Sequence, residues 1–165
     1  MKTLRLLRHA KSSWQSPELD DHDRGLNERG KRDAPRMGKA LAEFLLPPVV
    51  HCSGALRARR TLEGLCAGWP ELSAQQHSVD EALYTFDYAN IVDWLQAFPD
   101  TFDACFLLGH NPALTDLCNF LVGRQALDNL PTAGYLELTL AVDEWNDLRT
   151  SVATLERGLF PRDLS

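Results

Sequence analysis

Apolar residues along this chain follow two rhythms, short near-continuous runs and longer stretches with apolar positions every third or fourth residue, separated by polar turns. Lys2–Leu7 reads as a first strand, and its near-continuous apolar side is that of a strand buried in a parallel sheet. Residues 10–26 form a turn-rich loop with Pro17, several acids and Arg24-Gly25. Asn27 can cap the helix that follows through its side-chain oxygen, and Ala34, Met37, Leu41, Phe44 and Leu45 carry the helical spacing. Pro35 should kink that helix or delay its start, because proline lacks an N–H and crowds the preceding turn. Pro47-Pro48 ends it.

Val49–Cys52 is a second strand, followed by Ser53-Gly54 and a helix over Ala55–Ala67. Gln76–Val79 is a weak third strand, and Asp87 or Asn90 starts a helix ending near Phe98. Asp103–Leu108 is a fourth strand that runs into Gly109-His110-Asn111-Pro112, with a helix over Ala113–Leu121 behind it. Tyr135–Val142 and Ser151–Glu156 form a strand pair, and the tail from Gly158 is peripheral. Strand alternating with helix predicts an α/β layered domain with a largely parallel sheet. At 165 residues, with no internal repeat or low-complexity tract, one domain over residues 1–165 is expected.

Composition narrows the function classes. No apolar run approaches the ~20 residues of a membrane span, and the N-terminal run, broken by Arg5, is not a signal peptide, so a cytoplasmic protein is expected. Cys52, Cys66, Cys105 and Cys118 are widely spaced, without the C-x-x-C pair of zinc or redox sites. Cys66, Cys105 and Cys118 fall in apolar patterns and read as buried thiols. Net charge is −6, yet residues 1–60 hold 13 of the 17 lysines and arginines. That imbalance suggests a local anion site, and no nucleic-acid stripe or membrane face. For Lys31, Arg32, Arg36 and Lys39 a solvated charge run is the alternative to a part in that site.

The chemistry gathers where strands end. Strand one ends in Arg8-His9, strand two in Ser53-Gly54 with Arg57 one turn into the next helix, and strand four in Gly109-His110-Asn111. In a parallel sheet these junctions share one edge, where ligands of α/β folds bind. Arg8, Arg57 and His110 can then surround one anion with His9 as nucleophile, since guanidinium forks match phosphate oxygens. His9 must be neutral to attack, and neighbouring arginines push its pKa below the ordinary ~6.5.

These segments also carry a resemblance. Arg8-His9-Ala10, Asp23-Arg24-Gly25-Leu26-Asn27-Glu28-Arg29-Gly30, Ser53-Gly54-Ala55-Leu56-Arg57-Ala58-Arg59-Arg60-Thr61 and Gly109-His110-Asn111-Pro112 are similar in order and spacing to the histidine phosphatase (phosphoglycerate mutase-like) superfamily. With Leu130-Pro131-Thr132-Ala133-Gly134, the chain most resembles its small SixA-type phosphohistidine phosphatases. The resemblance implies a three-layer α/β/α sandwich, its mostly parallel central sheet carrying one antiparallel strand. It implies that His9 is transiently phosphorylated, that Arg8, Arg57 and His110 form the phosphate pocket, and that no metal or cofactor is needed. Arg24 stands where the small phosphatases reach toward substrate, and Ser12, Gln15 and Asn111 join it as substrate-binding candidates. Glu81 is the nearest match to the glutamate that larger relatives use as proton donor, beside a surface-carboxylate reading. Ala10-Lys11 and Gln15 depart from the mutase pattern, and mutase lid insertions are absent, which argues against mutase activity.

The expected substrate is a phosphohistidine on a partner protein, such as a carrier or signalling protein. Small phosphate monoesters, or a non-catalytic phosphate-binding module, are the alternatives. A cysteine phosphatase needs arginine six positions after its cysteine, where Cys52 has Ala58. A zinc site at His9 and His110 lacks a third ligand. His22 and His77 read as exposed loop or edge residues, His51 as structural, and Trp14 as a side chain at the pocket mouth.

Overall fold

The N-terminal run becomes β1 (Lys2–Arg8) and takes a central place in the sheet. The computed structural model describes residues 1–164. Five further strands follow: β2 (Val50–Ser53), β3 (Ser78–Asp80), β4 (Ala104–Gly109), β5 (Tyr135–Leu140) and β6 (Ala153–Leu159). Among the described residues they form one sheet in the order β3-β2-β4-β1-β5-β6. β5 is antiparallel to both neighbours, and the other strands share one direction.

The connections are α1 (Glu28–Ala42), α2 (Leu56–Gly68), α3 (Tyr88–Gln96) and α4 (Ala113–Val122). From β1 the chain steps one way along the sheet through α1 and α2 to β3, then returns through α3 and α4 to β5. Parallel crossovers are right-handed, so the reversal puts α1 and α2 on one face and α3 and α4 on the other. Two cores result. Leu4, Leu6 and Leu107 pack under Ile91, Leu95, Leu114 and Leu117. Leu7, Val50, Cys52 and Leu108 pack under Ala34, Met37, Leu41 and Leu65. Each fully buried leucine contributes about 1.5–3 kcal/mol, and a one-residue slip would turn Leu4 and Leu6 to the wrong face. Register is thereby fixed, with Arg8 opposite Gly109, and the residues that follow each strand meet.

The helix caps act as the sequence suggests, with Asn27 accepting from Gly30 N and Asp87 from Ala89 N. Pro35 does not delay the start of α1, which runs through it from Glu28 to Ala42. The carbonyl deprived of its N–H partner belongs to Lys31, an exposed residue, where water can satisfy it. α1 stops before Phe44 and Leu45, whose N–H groups close a turn on Leu41 O. A Cβ at Gly38 would overlap the backbone of Leu65, so α1 and α2 approach closely there. β6 extends to Leu159, and Gly158 pairs with Leu136; the first two residues of the tail are therefore part of the sheet, and Pro161–Asp163 form a short 3-10 turn beyond it. A register shift beside Glu137 and Leu138 leaves Glu156 unpaired, and such a bulge disrupts the alternation that marks a strand. Cys66 is half-buried, whereas Cys52, Cys105 and Cys118 are buried. No helix is long and apolar enough to cross a membrane among the described residues.

Candidate functional site

β1 delivers His9 to the carboxyl edge and pins its backbone on both sides. His9 N donates to Gly109 O at 3.1 Å, and Ala133 N donates to His9 O at 3.0 Å. His9 Nδ1 lies 2.7 Å from Ala10 O. A carbonyl only accepts, so Nδ1 carries the hydrogen and Nε2 keeps its lone pair. Arg57 Nε donates toward that Nε2 at 3.4 Å. The residue is 6% exposed. Burial is the largest cause of a His9 pKa lowered to about 3; the charges of Arg57, Arg8 and Arg24 add to it, against the hydrogen bond to Ala10. Thr61 ties this turn to α2, accepting from Ala10 N at 2.9 Å and donating to Arg57 O at 2.7 Å.

His110 comes from the end of β4, its ring centroid 5.2 Å from that of His9. Its Nε2 is 2.7 Å from Ser53 Oγ, which already accepts from Ala55 N. Ser53 keeps its hydroxyl hydrogen free to donate to Nε2, and in that tautomer Nδ1 carries the ring hydrogen. Burial first, then His9 and Arg57, lower the His110 pKa to about 3. Arg8 gives one guanidinium nitrogen to Leu130 O at 3.0 Å. Among the described residues, the buried side-chain nitrogens and oxygens without a partner are Arg8 Nε and His110 Nδ1. Buried polar groups normally find partners. Two unpaired buried nitrogens beside a bare imidazole nitrogen and a guanidinium fit a tetrahedral oxyanion, which Arg8 Nε and, with its hydrogen on Nδ1, His110 can bond.

Arg57 sits on the first turn of α2 and is held by Asp21. Its two terminal nitrogens donate to Asp21 O at 2.7 Å and Asp21 Oδ2 at 2.8 Å. The same carboxylate accepts from Tyr84 OH at 2.6 Å and from Arg24 Nε at 3.3 Å. Burial works to raise the Asp21 pKa, but hydrogen bonds from Tyr84 and Arg57 and the charges of Arg57 and Arg24 bring it down to about 2. Hydrogen bonds to charged groups contribute about 1.5–3 kcal/mol. Asp21→Ala is therefore expected to lower kcat about tenfold or more, while removal of its charge tightens competitive inhibition by inorganic phosphate. Steady-state kinetics with phosphate as inhibitor reads both; unchanged kcat would show that Arg57 needs no clamp.

The remaining expectations divide. Arg24 donates to Ser12 Oγ at 3.1 Å and lies 3.6 Å above the ring of Trp14, so Ser12, Arg24 and Trp14 form one wall. Gln15 does not join it: the residue is exposed and only its backbone N bonds, to Ser13 Oγ. The Asn111 side chain is engaged within the protein. Its amide donates to Asn129 Oδ1 and Leu130 O and accepts from Thr115 N and Oγ1, latching the loop that supplies Leu130 to Arg8. His77 and His51 are structural, on Val50 N and Ser78 Oγ respectively. Burial pushes the Cys52 thiol up to about 12, which leaves no thiolate. Among the described residues no three His, Cys, Asp or Glu side chains gather to hold a metal.

Sequence reasoning missed Asp21, His22, Tyr84 and Phe86. His22, expected at an exposed edge, bonds Glu81 and meets the Tyr84 ring at 4.9 Å. Tyr84 and Phe86 stand edge-on to His110 at 5.4 and 5.7 Å. The available signals were the acids clustered before Arg24 and the aromatics just after strand three, at the same sheet edge.

Residues 4–105 match the sequence model of the histidine phosphatase superfamily (branch 1). An uncharacterized chloroplastic protein of Arabidopsis thaliana is 42% identical over 67 residues, which cover 40% of this chain and 31% of that protein. The fold is similar to that of a Nakamurella multipartitia protein provisionally assigned as the phosphohistidine phosphatase SixA, with TM-score 0.78, 25% identity, and 97% and 96% of the two chains covered. The protein histidine phosphatase SixA complexed with tungstate aligns at TM-score 0.76 and 19% identity over 98% of each chain, a likeness of fold.

Proposed function

The chain belongs to branch 1 of the histidine phosphatase superfamily, and we propose that it is a metal-independent phosphatase that removes phosphate from phosphohistidine on a partner protein. The observation that carries this reading is the bare Nε2 of a buried, neutral His9, faced by Arg57 and flanked by the unpaired nitrogens of Arg8 and His110.

In the first step His9 Nε2 attacks phosphorus as the phosphorus–nitrogen bond of the substrate breaks, and the substrate imidazole, already protonated on its other nitrogen, leaves as a neutral ring while the positive charge passes to the phosphorylated ring of His9. Arg8, Arg57 and His110 stabilise the charge on the equatorial oxygens, where phosphoryl transfer concentrates it. A water then attacks phosphorus, the bond to His9 breaks, and inorganic phosphate departs with the water's oxygen. His9 returns neutral because its surroundings disfavour the imidazolium.

Tyr84, half-exposed, and Phe86, exposed, with the ring of Trp14 beyond Arg24, offer flat apolar faces at the rim, which suit a planar imidazole leaving group. Turnover of a phosphohistidine-bearing carrier protein should therefore exceed that of aliphatic phosphate esters in kcat/KM, by on the order of 10²-fold, and be unaffected by chelator. Equal or better turnover of small esters would transfer the assignment to them. Phosphate binding with no turnover of either class would make the chain a binding module.

A further inference from the structure

Glu81 follows β3 in a short 3-10 helix, Glu81–Leu83, and its carboxylate lies directly over Gly54, where a Cβ would overlap it. Gly54 adjoins Ser53, the hydrogen-bond partner of His110. Both Glu81 oxygens are within reach of His22 Nε2, at 3.2 and 3.0 Å. His22 lies in the turn whose first residue, Asp21, clamps Arg57. Its other nitrogen faces Asp23 Oδ1 at 3.6 Å, and its ring meets Tyr84, which in turn meets His110. The turn preceding Arg24 thus serves two sites at once, Arg57 through Asp21 and Glu81 through His22.

We propose that His22 is a positioning residue for a leaving-group acid, holding the Glu81 carboxyl against Gly54 at the rim and resupplying its proton. This rests on the phosphatase reading. The contact survives transfer: with the proton on Nε2 the imidazole donates to the carboxylate, and with it on Glu81 the carboxyl donates to Nε2. In the first step Glu81 gives its proton to the departing oxygen or nitrogen as the bond to phosphorus breaks. In the second step the carboxylate takes a proton from the attacking water, so the pair ends as it began. The groups facing His22 are Glu81, Asp23 and the Tyr84 ring, with Asp21 bonded to Tyr84 OH.

Such an acid matters most where the leaving group is a poor one. The test is the dependence of kcat on leaving-group basicity across aryl and alkyl phosphates, for the wild type, His22→Gln, Glu81→Gln and the double variant. Glutamine at position 22 can still donate to Glu81 but cannot pass a proton. Glu81→Gln should slow the most basic leaving groups by about 10²–10⁴-fold and p-nitrophenyl phosphate least of the series. His22→Gln should steepen the dependence in the same sense but less, and the double variant should be no slower than Glu81→Gln, the non-additivity of residues acting as a unit. Equal slowing of every ester by His22→Gln, or additive losses in the double variant, would overturn the proposal. Wild-type protein that hydrolyses none of the series and no phosphohistidine would instead refute the phosphatase reading.

Discussion

His9→Ala is expected to abolish turnover, with kcat falling on the order of 10⁴-fold or more, because loss of a covalent nucleophile removes the reaction path itself. The pocket cations are untouched by this change, so inorganic phosphate should still inhibit or bind the variant. The same substitution carries a thermodynamic signature. His9 and His110 are held neutral in the folded protein, with pKa values lowered to about 3, against ~6.5 for free imidazole. As pH falls below ~6.5 the unfolded chain takes up protons that the folded chain refuses, so stability present above that pH declines toward pH 3. His9→Ala should remove part of that decline. Thermal melts between pH 7 and 4, run alongside initial rates, check both effects; full activity in the variant would exclude attack by His9.

Arg57→Leu is the second large effect. Removing one charge-stabilising donor typically costs on the order of 10²–10³ in rate. Arg57 also contributes, after burial, to the low pKa of His9, so its loss raises the pH at which His9 becomes protonated. For the wild type, kcat corrected for the substrate's own titration should show no acid limb near pH 6.5. In Arg57→Leu the limb should move upward. Lysine would not restore the rate, since the Arg57 fork bonds Asp21 through two nitrogens while a third faces His9. A wild-type limb centred at ~6.5 would mean that His9 is not kept neutral by its setting.

Arg8, His9, Arg57 and His110 were legible because each stands at the end of an apolar run or one turn beyond it. A parallel sheet brings such ends to one edge whatever the intervening loops do. Asp21 and Tyr84 were not, because their contacts cross 36 and 63 residues of sequence and depend on how the residue 12–25 loop folds back. Gln15 and Asn111 have chemistry that suits either substrate or backbone, and nothing local decides which; Asn111 bonds Leu130 O and Thr115, and Gln15 stays in solvent. The bulge at Glu156 hid the end of β6, since it interrupts the alternation by which a half-exposed strand is read. Pro35 does not mark a late start of α1, because the carbonyl it leaves without an N–H partner is on Lys31, an exposed residue.

Transfer to the ring of His9 can be observed directly by rapid acid-free quench of the enzyme with substrate labelled at phosphorus, followed by peptide mapping. Label should appear within the first turnover as an acid-labile, base-stable phosphoramidate on the peptide containing His9, and be absent from His9→Ala. Label on another residue, or turnover with no phosphorylated protein at any time, would contradict the account.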